Sequence, residues 1–308
     1  MILCLGTTPT VQRSMTFKRV ETNEVNRAKC VEEYASGKSP NVARVLKSLG
    51  ADPLAIGFAG GGRGRFLVHD LSSAGIRCEF VEVPAETRLC TTVINQADGM
   101  ATELVEEHAP VLPAAWDRLN EILRARLPAS KMWVFSGSLP PDAPADFYAR
   151  WIGLAKSTRA TLILDARGEP LRLALKQDGF IAKLNAKELA DTLGKPLDSE
   201  AALAEAALRA APAGGALIVT RGAHGAIASD GRQAWRVTPP AVRAISAVGS
   251  GDAFAAGLAL GLSRGEELPQ ALILAAACGA ANAMTSRAGH LNEEDVERLR
   301  PEVAVSRV

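Results

Sequence analysis

The sequence predicts an α/β protein whose central sheet is mostly parallel and is covered by helices on both faces. Short apolar runs typical of buried strands alternate with segments of helical length between residues 113 and 219. Such alternation indicates a parallel sheet, because parallel strands need long crossover connections and helices usually form them. Nearer the N-terminus, two segments that mix β-formers with charged residues predict a second, smaller sheet.

The first elements belong to the central sheet. An apolar run at residues 1–6 and another at residues 54–58 predict buried strands. Apolar residues recur from Val42 to Leu49 at the spacing of one helix face, so a helix is expected over residues 41–50 after a turn at residues 36–40. A second helix is predicted at residues 66–74, after a glycine-rich loop.

Residues 13–34 and 88–105 are expected to form the small sheet. Residues 13–34 show no helical period. In the second segment, a turn at residues 98–99 lies between two runs of β-formers and predicts a hairpin. Ligands of open α/β sheets collect at the carboxyl ends of the strands, so this sheet is expected to cover that edge as a lid. We therefore predict a single domain, residues 1–308, with a β lid.

The alternating region is assigned element by element from its apolar spacing. Strands are predicted at residues 132–135, 161–164, 180–182 and 216–219. Helices are predicted at residues 113–127, 145–157, around Leu171, 186–193 and 200–210.

The composition excludes several classes of function. The 35 Lys and Arg residues balance 34 Asp and Glu residues to a net charge of +1, so no global field favours nucleic acid or an anionic membrane. The longest apolar run, near residues 271–281, is shorter than a membrane span. Five scattered cysteines without a C-x-x-C pair argue against a disulfide framework and a cysteine zinc site. We expect a cytoplasmic protein that binds neither nucleic acid nor membrane.

A glycine loop before an alanine-rich helix is the strongest local signal. Gly249, Ser250 and Gly251 precede Asp252 and a segment of high helix propensity. Backbone N–H groups at such a helix start can bind one anion together, because they have no partner within the helix. Asp252 is then either an acid placed well against the helix dipole or a base beside an electrophile, and the local sequence supports the two readings equally.

Three further loops follow predicted strands and carry groups suited to anions. They comprise residues 136–140, 183–188 and 220–225. Each alone is an ordinary turn after a strand. In a parallel sheet, however, such loops meet at one edge, and the 249–252 loop is expected to join them there.

With these motifs in this order, the chain resembles the ribokinase-like PfkB family of sugar kinases, and within it the branch of 1-phosphofructokinase and tagatose-6-phosphate kinase. The matching segments span almost the whole chain: residues 25–27, 36–44, 57–61, 87–88, 136–140, 165–169, 183–189 and 248–252. The resemblance implies a ribokinase-like three-layer αβα sandwich and transfer of the γ-phosphoryl group of ATP to a sugar hydroxyl, with Mg²⁺ as cofactor.

The resemblance also implies roles for residues on the nucleotide side. Asp252 would be the general base, and the amides of residues 249–251 would neutralise charge on the phosphoryl oxygens. Asn185 and Glu188 look like the family's ligands to Mg²⁺-bound water, although Glu188 could be only a solvated helix start. The residues implied to bind nucleotide are Lys183, Asn185, Thr220, Gly222, Gly225 and Asn282.

Phosphate on the acceptor is a separate question. Arg27, Lys38 and Arg88, with Ser138, match positions where this branch holds the existing phosphate of the sugar, and arginine suits such contacts. The resemblance therefore favours a sugar phosphate similar to fructose 1-phosphate or tagatose 6-phosphate. The alternatives are a free sugar or nucleoside, or a catalytically weak metabolite-binding protein. The other acceptor-side residues implied are Gln12, Gly37 and Asn41.

The chain departs from the family pattern at several positions. Gln12 stands where the branch has an acid that holds sugar hydroxyls, and an amide loses the charge-assisted bond. Ser36 and Ser39 replace glycines around Lys38, which restricts the backbone there. Ser246 replaces an acid or amide near a monovalent-cation site, so potassium dependence is not expected. An exposed edge of the lid would also allow a homodimer.

Overall fold

The computed structural model describes residues 1–308, apart from the side chain of residue 127. The strands are β1 Ile2–Gly6, β2 Thr10–Phe17, β3 Cys30–Ser36, β4 Pro53–Ala59, β5 Arg77–Glu82, β6 Leu89–Asn95, β7 Met100–Val105, β8 Met132–Ser136, β9 Thr161–Asp165, β10 Ile181–Asn185, β11 Ala216–Thr220, β12 Ala226–Ser229, β13 Ala234–Thr238 and β14 Ala304–Arg307. The helices are α1 Lys38–Ser48, α2 Gly61–Ser73, α3 Pro113–Arg126, α4 Phe147–Thr158, α5 Gly168–Ala174, α6 Ala186–Leu193, α7 Glu200–Ala210, α8 Ser250–Ser263, α9 Leu268–Ala283 and α10 Glu293–Leu299.

The central sheet has ten strands in the order β14-β13-β12-β11-β10-β9-β8-β1-β4-β5. The strands from β11 to β5 pair in parallel, and β12, β13 and β14 continue the sheet antiparallel. The predicted α/β class with a mostly parallel sheet is therefore confirmed. The three antiparallel strands are not separated in the sequence analysis, because they are only four or five residues long and β14 is largely exposed.

Helices cover both faces of the central sheet and form two apolar layers. Alternate strand residues point to opposite faces, so that Cys4 packs in one layer and Leu5 in the other. Helices α1, α8 and α9 contribute to the layer that contains Cys4. Within it, α8 and α9 approach closely at Gly257, where a Cβ atom would lie 2.8 Å from Ala275 Cα. This close packing fixes α8 against α9.

The small sheet has the strand order β3-β2-β6-β7. The hairpin predicted around residues 98–99 is confirmed, since β6 pairs antiparallel with β7. The predicted lid ranges, 13–34 and 88–105, need correction: residues 10–12 and 35–36 also belong to its strands, while residues 18–29 form a connection without a strand. A connection rich in charged and polar residues cannot bury a face of its own, so no strand forms there.

The two faces of the lid differ in exposure. Gln12 and Tyr34 are direct partners on neighbouring strands and are buried, so their side of the sheet is termed the inner face. Met15 pairs with Val31 and with Val93, and this row lies on the outer face. Val31 is half exposed. The lid thus presents apolar side chains to solvent.

Two helices begin earlier than the sequence predicts. Helix α1 starts at Lys38 instead of residue 41, because Gly37 turns the chain with a φ of 96° and Pro40 is tolerated in the first turn. Helix α2 starts at Gly61 instead of residue 66, because the Glu86 carboxylate accepts the Arg63 N–H at 2.5 Å. None of the helices in the described part of the chain has both the length and the apolar character to cross a bilayer.

Candidate active site

The anion loop, residues 247–251, leads into α8 at the carboxyl edge of the central sheet. Gly249 adopts a left-handed φ of 82°, and a Cβ atom there would lie 2.7 Å from Gly289 N, so only glycine fits. The Ser250 N–H donates to Ala247 O at 3.2 Å. The loop does not directly follow a strand, because an irregular stretch of residues 239–246 separates it from β13.

Asp252 lies in the first turn of α8 and is only 8% exposed. Its Oδ2 accepts a hydrogen bond of 2.8 Å from Asn41 Nδ2. Burial is the largest influence on its pKa and raises it above 3.8, and repulsion from Asp165 adds to the rise. Attraction by Lys38 and the Asn41 bond offset only part of this. A carboxylate whose charge is disfavoured by its surroundings is a stronger base than an exposed one.

Asp165, at the end of β9, joins two lysines beside Asp252. It is 1% exposed, and its Oδ2 accepts from Lys183 Nζ at 2.5 Å while its Oδ1 accepts from Lys38 Nζ. Although burial alone would raise the pKa of Asp165, the attraction of both ammonium groups lowers it, so it is ionised at neutral pH. For Lys38, burial lowers the pKa, but Asp165 and Asp252 outweigh it and raise the pKa.

No role is predicted for Asp165 from the sequence, where it lies within the matching segment 165–169. Its position directly after an apolar strand was an available signal. A Cβ atom on Gly251 would lie 3.0 Å from Lys183 Nζ, so this ammonium group lies against the anion loop. The structure therefore brings two cations and two acids together at one helix start.

Asn185 and Glu188 form a reciprocal cap at the start of α6. Asn185 Oδ1 accepts the Glu188 N–H and Glu188 Oε2 accepts the Asn185 N–H, each at 2.8 Å. Both residues also border a cavity of about 610 Å³. Asn185 Oδ1 is already engaged in the cap, whereas one oxygen of the Glu188 carboxylate is left for another ligand.

The predicted nucleotide loop, residues 220–225, is closed by a hydrogen bond of 2.7 Å from Arg221 N to Gly225 O. Thr220 Oγ1 donates to Leu184 O at 3.3 Å. A Cβ atom on Gly225 would lie 1.9 Å from Val237 O, so packing within the fold requires this glycine. Around Gly222, in contrast, no atom of the described structure apart from its chain neighbours lies within 4 Å of such an atom, so its backbone is open to a ligand.

Asn282 is fully buried behind the anion loop. Its Nδ2 donates to Val248 O at 2.9 Å, and its Oδ1 accepts the Gly289 N–H at 2.8 Å. Both ends of the amide are therefore used inside the protein. These contacts place Asn282 as a support for the loop.

The predicted acceptor residues are only partly brought together. Gln12 is buried on the lid and donates to Thr92 Oγ1 at 2.8 Å. Arg88 Nη2 donates to Thr8 O at 3.0 Å, and its buried Nε has no hydrogen-bond partner in the described structure. Thr8 Oγ1 in turn donates to the backbone oxygen of Ser138 at 3.1 Å. Arg88, Thr8 and Ser138 thus form one contact chain.

Arg27 lies apart from these residues. It is exposed in the connection between β2 and β3, and no contact in the described structure joins it to the other predicted acceptor residues. Gly37 lies against the turn at Pro9, whose Cα atom would be 3.0 Å from a Cβ atom there. This close approach brings the start of α1 next to the start of β2.

Together, fold and site define a class of α/β proteins that combine a large, mostly parallel sheet, a second small sheet and a glycine loop at a helix start beside a buried acid. A family model described as pfkB family carbohydrate kinase matches residues 1–295, and the chain belongs to that family. The protein is therefore a carbohydrate kinase, as the resemblance implies, and the ribokinase-like fold is confirmed.

Solved structures similar to this chain include several phosphofructokinases. Escherichia coli phosphofructokinase-2 in complex with potassium is 25% identical with a TM-score of 0.90, over 98% of each chain. A provisionally assigned phosphofructokinase from Staphylococcus aureus is 27% identical with a TM-score of 0.81, over 100% of this chain and 99% of its own. A provisionally assigned 1-phosphofructokinase from Thermotoga maritima, 20% identical with a TM-score of 0.88 over 100% and 99%, supports the fold alone.

Proposed function

We propose that this kinase transfers the γ-phosphoryl group of ATP to a hydroxyl group of a sugar phosphate similar to fructose 1-phosphate or tagatose 6-phosphate. The observation that carries the proposal is the position of Asp252: a buried, hydrogen-bonded carboxylate in the first turn of α8, directly after the anion loop. A base and a group of anion-binding amides at one helix start can act on the two reacting atoms of a phosphoryl transfer.

Asp252 accepts the proton of the acceptor hydroxyl. Because Asn41 already donates to Oδ2, the proton goes to Oδ1. The raised pKa of Asp252 makes it a stronger base than an exposed carboxylate, provided that the pH keeps it ionised. The hydrogen bond from Asn41 holds the carboxylate in one orientation, so that fewer unproductive orientations compete with the reactive one.

The N–H groups of Gly249, Ser250 and Gly251 and the Lys183 ammonium stabilise negative charge on the transferred group. Lys183 suits this role because its Nζ lies against Gly251 and Asp165 keeps it in place. The Ser250 N–H has a weak internal partner, Ala247 O at 3.2 Å, which it can exchange for a phosphoryl oxygen. Positioning and charge stabilisation of this kind account for most of the catalysis of phosphoryl transfer.

The residues near α6 fit a Mg²⁺ ion that is held mainly by water and phosphates. Mg²⁺ keeps several waters and uses one or two carboxylates, and Glu188 has one carboxylate oxygen free of the cap. Asn185 and Glu188 would hold it through water. When bound, the ion neutralises phosphate charge and aligns the ATP. On the nucleotide side, the open backbone at Gly222 and the Thr220 hydroxyl bind phosphates, while Asn282 supports the anion loop from behind.

Arg88 is assigned to the phosphate of the acceptor, with Lys38 and Ser138 completing the site. Its buried Nε lacks a partner, and a phosphate oxygen would supply one. The proposal is also supported by the Escherichia coli phosphofructokinase-2 structure described as a complex with fructose-6-phosphate, which is 25% identical to this chain.

Replacing Arg88 with Gln is expected to raise KM for the sugar phosphate about 10-fold to 100-fold, since a hydrogen bond to a charged group contributes about 1.5–3 kcal/mol. KM for ATP should change little. Initial rates at varied acceptor and fixed ATP measure the effect. Arg63→Gln is the matched control, because Arg63 lies nearby and pairs with Glu106 on the surface. Equal KM values for Arg88→Gln and the control would contradict the assignment.

Gln12 supports a second candidate, a kinase for a free sugar or nucleoside. Its amide is engaged with Thr92 and carries no charge, so the hydroxyl contacts of the relatives' acid are altered here. ATP turnover measured against ketohexose phosphates, free sugars and nucleosides separates the two. Activity confined to unphosphorylated acceptors would reject the sugar-phosphate proposal. Absence of turnover with every acceptor would favour a metabolite-binding protein.

The outer face of the lid is proposed as a homodimer contact. It carries exposed apolar side chains, including Met100 at 65% and Leu104 at 57% exposure. Leu104→Glu is therefore expected to shift a dimer towards monomer in sedimentation velocity experiments at micromolar concentration. The same substitution at Leu193, an exposed residue of α6, should leave the dimer intact. A wild-type protein that sediments as a monomer would refute this contact.

A further inference from the structure

Strand β3 of the lid is joined to the segment 285–290 by side chains that have no role in the chemistry above. Glu32 projects from the inner face of β3, and its Oε1 lies 2.5 Å from Arg287 Nη2 and 3.1 Å from Arg287 Nε. The guanidinium carbon also lies 5.6 Å from the centre of the Tyr34 ring. Two neighbouring inner-face residues of the lid therefore hold the same arginine.

Tyr34 extends this contact to the backbone of the segment. It is 3% exposed, and its hydroxyl oxygen accepts the Ala288 N–H at 3.2 Å. His290 packs edge-on against the ring, and its Nδ1 lies 3.0 Å from Ala288 O. Because a carbonyl oxygen can only accept, Nδ1 carries the proton. Burial, followed by the charge of Arg44, lowers the pKa of His290 to about 4, so the ring is neutral near pH 7.

The segment 285–290 in turn packs directly against the anion loop. A Cβ atom on Gly249 would lie 2.8 Å from Ala288 Cα, and one on Gly289 would lie 2.6 Å from Asn41 Cα. The Gly289 N–H is also bound by Asn282, the residue that holds Val248 O. Any displacement of Ala288 and Gly289 must therefore move the loop, the partner of the base, or both.

We propose that Glu32 and Tyr34 are positioning residues that hold the anion loop in its active geometry through Arg287 and Ala288. This rests on the proposed function, which assigns the phosphoryl group to that loop. The inner face of the lid covers the acceptor side, where Gln12 lies on the neighbouring strand. Binding of the acceptor under the lid and binding of the phosphoryl group at the loop are thus coupled, and the coupling is reciprocal.

The kinetic test uses Arg287→Gln, Glu32→Gln, their double variant and Tyr34→Phe. Each single variant is expected to lower kcat about tenfold, the equivalent of one lost hydrogen bond, with a smaller change in KM for ATP. The double variant should be no slower than the slower of these two single variants, since Arg287→Gln and Glu32→Gln each remove the same ion pair. Arg126→Gln is the control: Arg126 forks onto Glu79 of the edge strand β5 and is 44% exposed, close to the 40% of Arg287.

A second measurement does not depend on turnover. Hydrogen exchange of the peptide spanning residues 246–254, without ligand, should be faster in Arg287→Gln and Tyr34→Phe than in wild type or Arg126→Gln. If wild type phosphorylates no acceptor, the proposed function fails, while exchange still decides the coupling. Unchanged exchange overturns the coupling whatever the turnover. Faster exchange with an unchanged kcat overturns it as well, because the loop would then move without affecting the reaction.

Discussion

Asp252→Asn is expected to lower kcat about 10²-fold to 10⁴-fold, the usual contribution of a general base. The amide cannot accept the hydroxyl proton, although it keeps the size of the carboxyl group. Steady-state rates with saturating ATP and acceptor measure the loss. A kcat equal to that of wild type would show that Asp252 is not the base, and would favour the reading in which it only complements the helix dipole.

The pH profile provides an independent measure of the same group. Only ionised Asp252 can accept a proton, so kcat/KM should fall as the pH drops through the pKa of Asp252. Because that pKa is raised, the fall should occur at a higher pH than for a carboxyl group with the ordinary pKa of 3.8. The Asn41 hydrogen bond favours the ionised form of Asp252, so Asn41→Ala should raise the pKa of Asp252 further. The acidic limb of the profile should then move to still higher pH. A limb that does not move in Asn41→Ala would contradict the assignment.

Stability distinguishes loss of chemistry from loss of the fold. Because the folded protein raises the pKa of Asp252 above its unfolded value, ionisation of this group disfavours folding. The protonated carboxyl group stabilises the folded protein at low pH, and this stabilisation is lost as the pH rises from the unfolded-state pKa to the folded-state pKa. Asp252→Asn should therefore melt no lower than wild type near pH 7. A large drop in melting temperature would attribute the loss of rate to misfolding instead.

Asp165→Asn is expected to destabilise the protein by about 3–5 kcal/mol, the cost of leaving a buried charge without its partner. Lys183 is 5% exposed at its side chain and loses its only counter-ion within 4 Å in the described structure, while Lys38, more exposed, can turn to solvent. Urea unfolding at pH 7 gives the free energy of unfolding directly.

The double variant Asp165→Asn with Lys183→Met serves as the control for this cost. Removing both charges leaves no unpaired ion, so much of the lost stability should return. Its kcat should remain low, because Lys183 is assigned to the phosphoryl group. If Asp165→Asn alone unfolds at the wild-type urea concentration, the buried ion pair does not hold the site together.

Elements with strong local signals could be predicted closely. Helices α6 and α7 occupy the predicted residues, 186–193 and 200–210, because Asn185 and Ser199 cap their first turns with their own side chains. The start of α2 was missed because its capping group is Glu86, which is far along the chain. A boundary determined by a distant residue leaves no mark in the local pattern.

The candidate site shows the same division. Gly249 and Asp252 could be selected from the sequence because a glycine loop at a helix start has a local chemical meaning. The place of Asp165 directly after a predicted strand marks it as a candidate, but its role could not be assigned from the sequence, since that role lies in two lysines that are 127 and 18 residues away. The supporting position of Asn282 likewise depends on contacts with Val248 and Gly289 that only the fold creates.

The sequence by itself determined the kinase family, the alternation of strands and helices, and the loop that carries Asp252. The family follows from the resemblance of its motifs, whereas the elements and the loop follow from periodicity, caps and glycine positions, which act between near neighbours in the chain. The tertiary structure decided which charges meet at that loop, and that Gln12 is engaged with Thr92. It also decided that the lid reaches the loop through Arg287 and Ala288. Such pairings depend on how distant segments pack, and no local pattern encodes them.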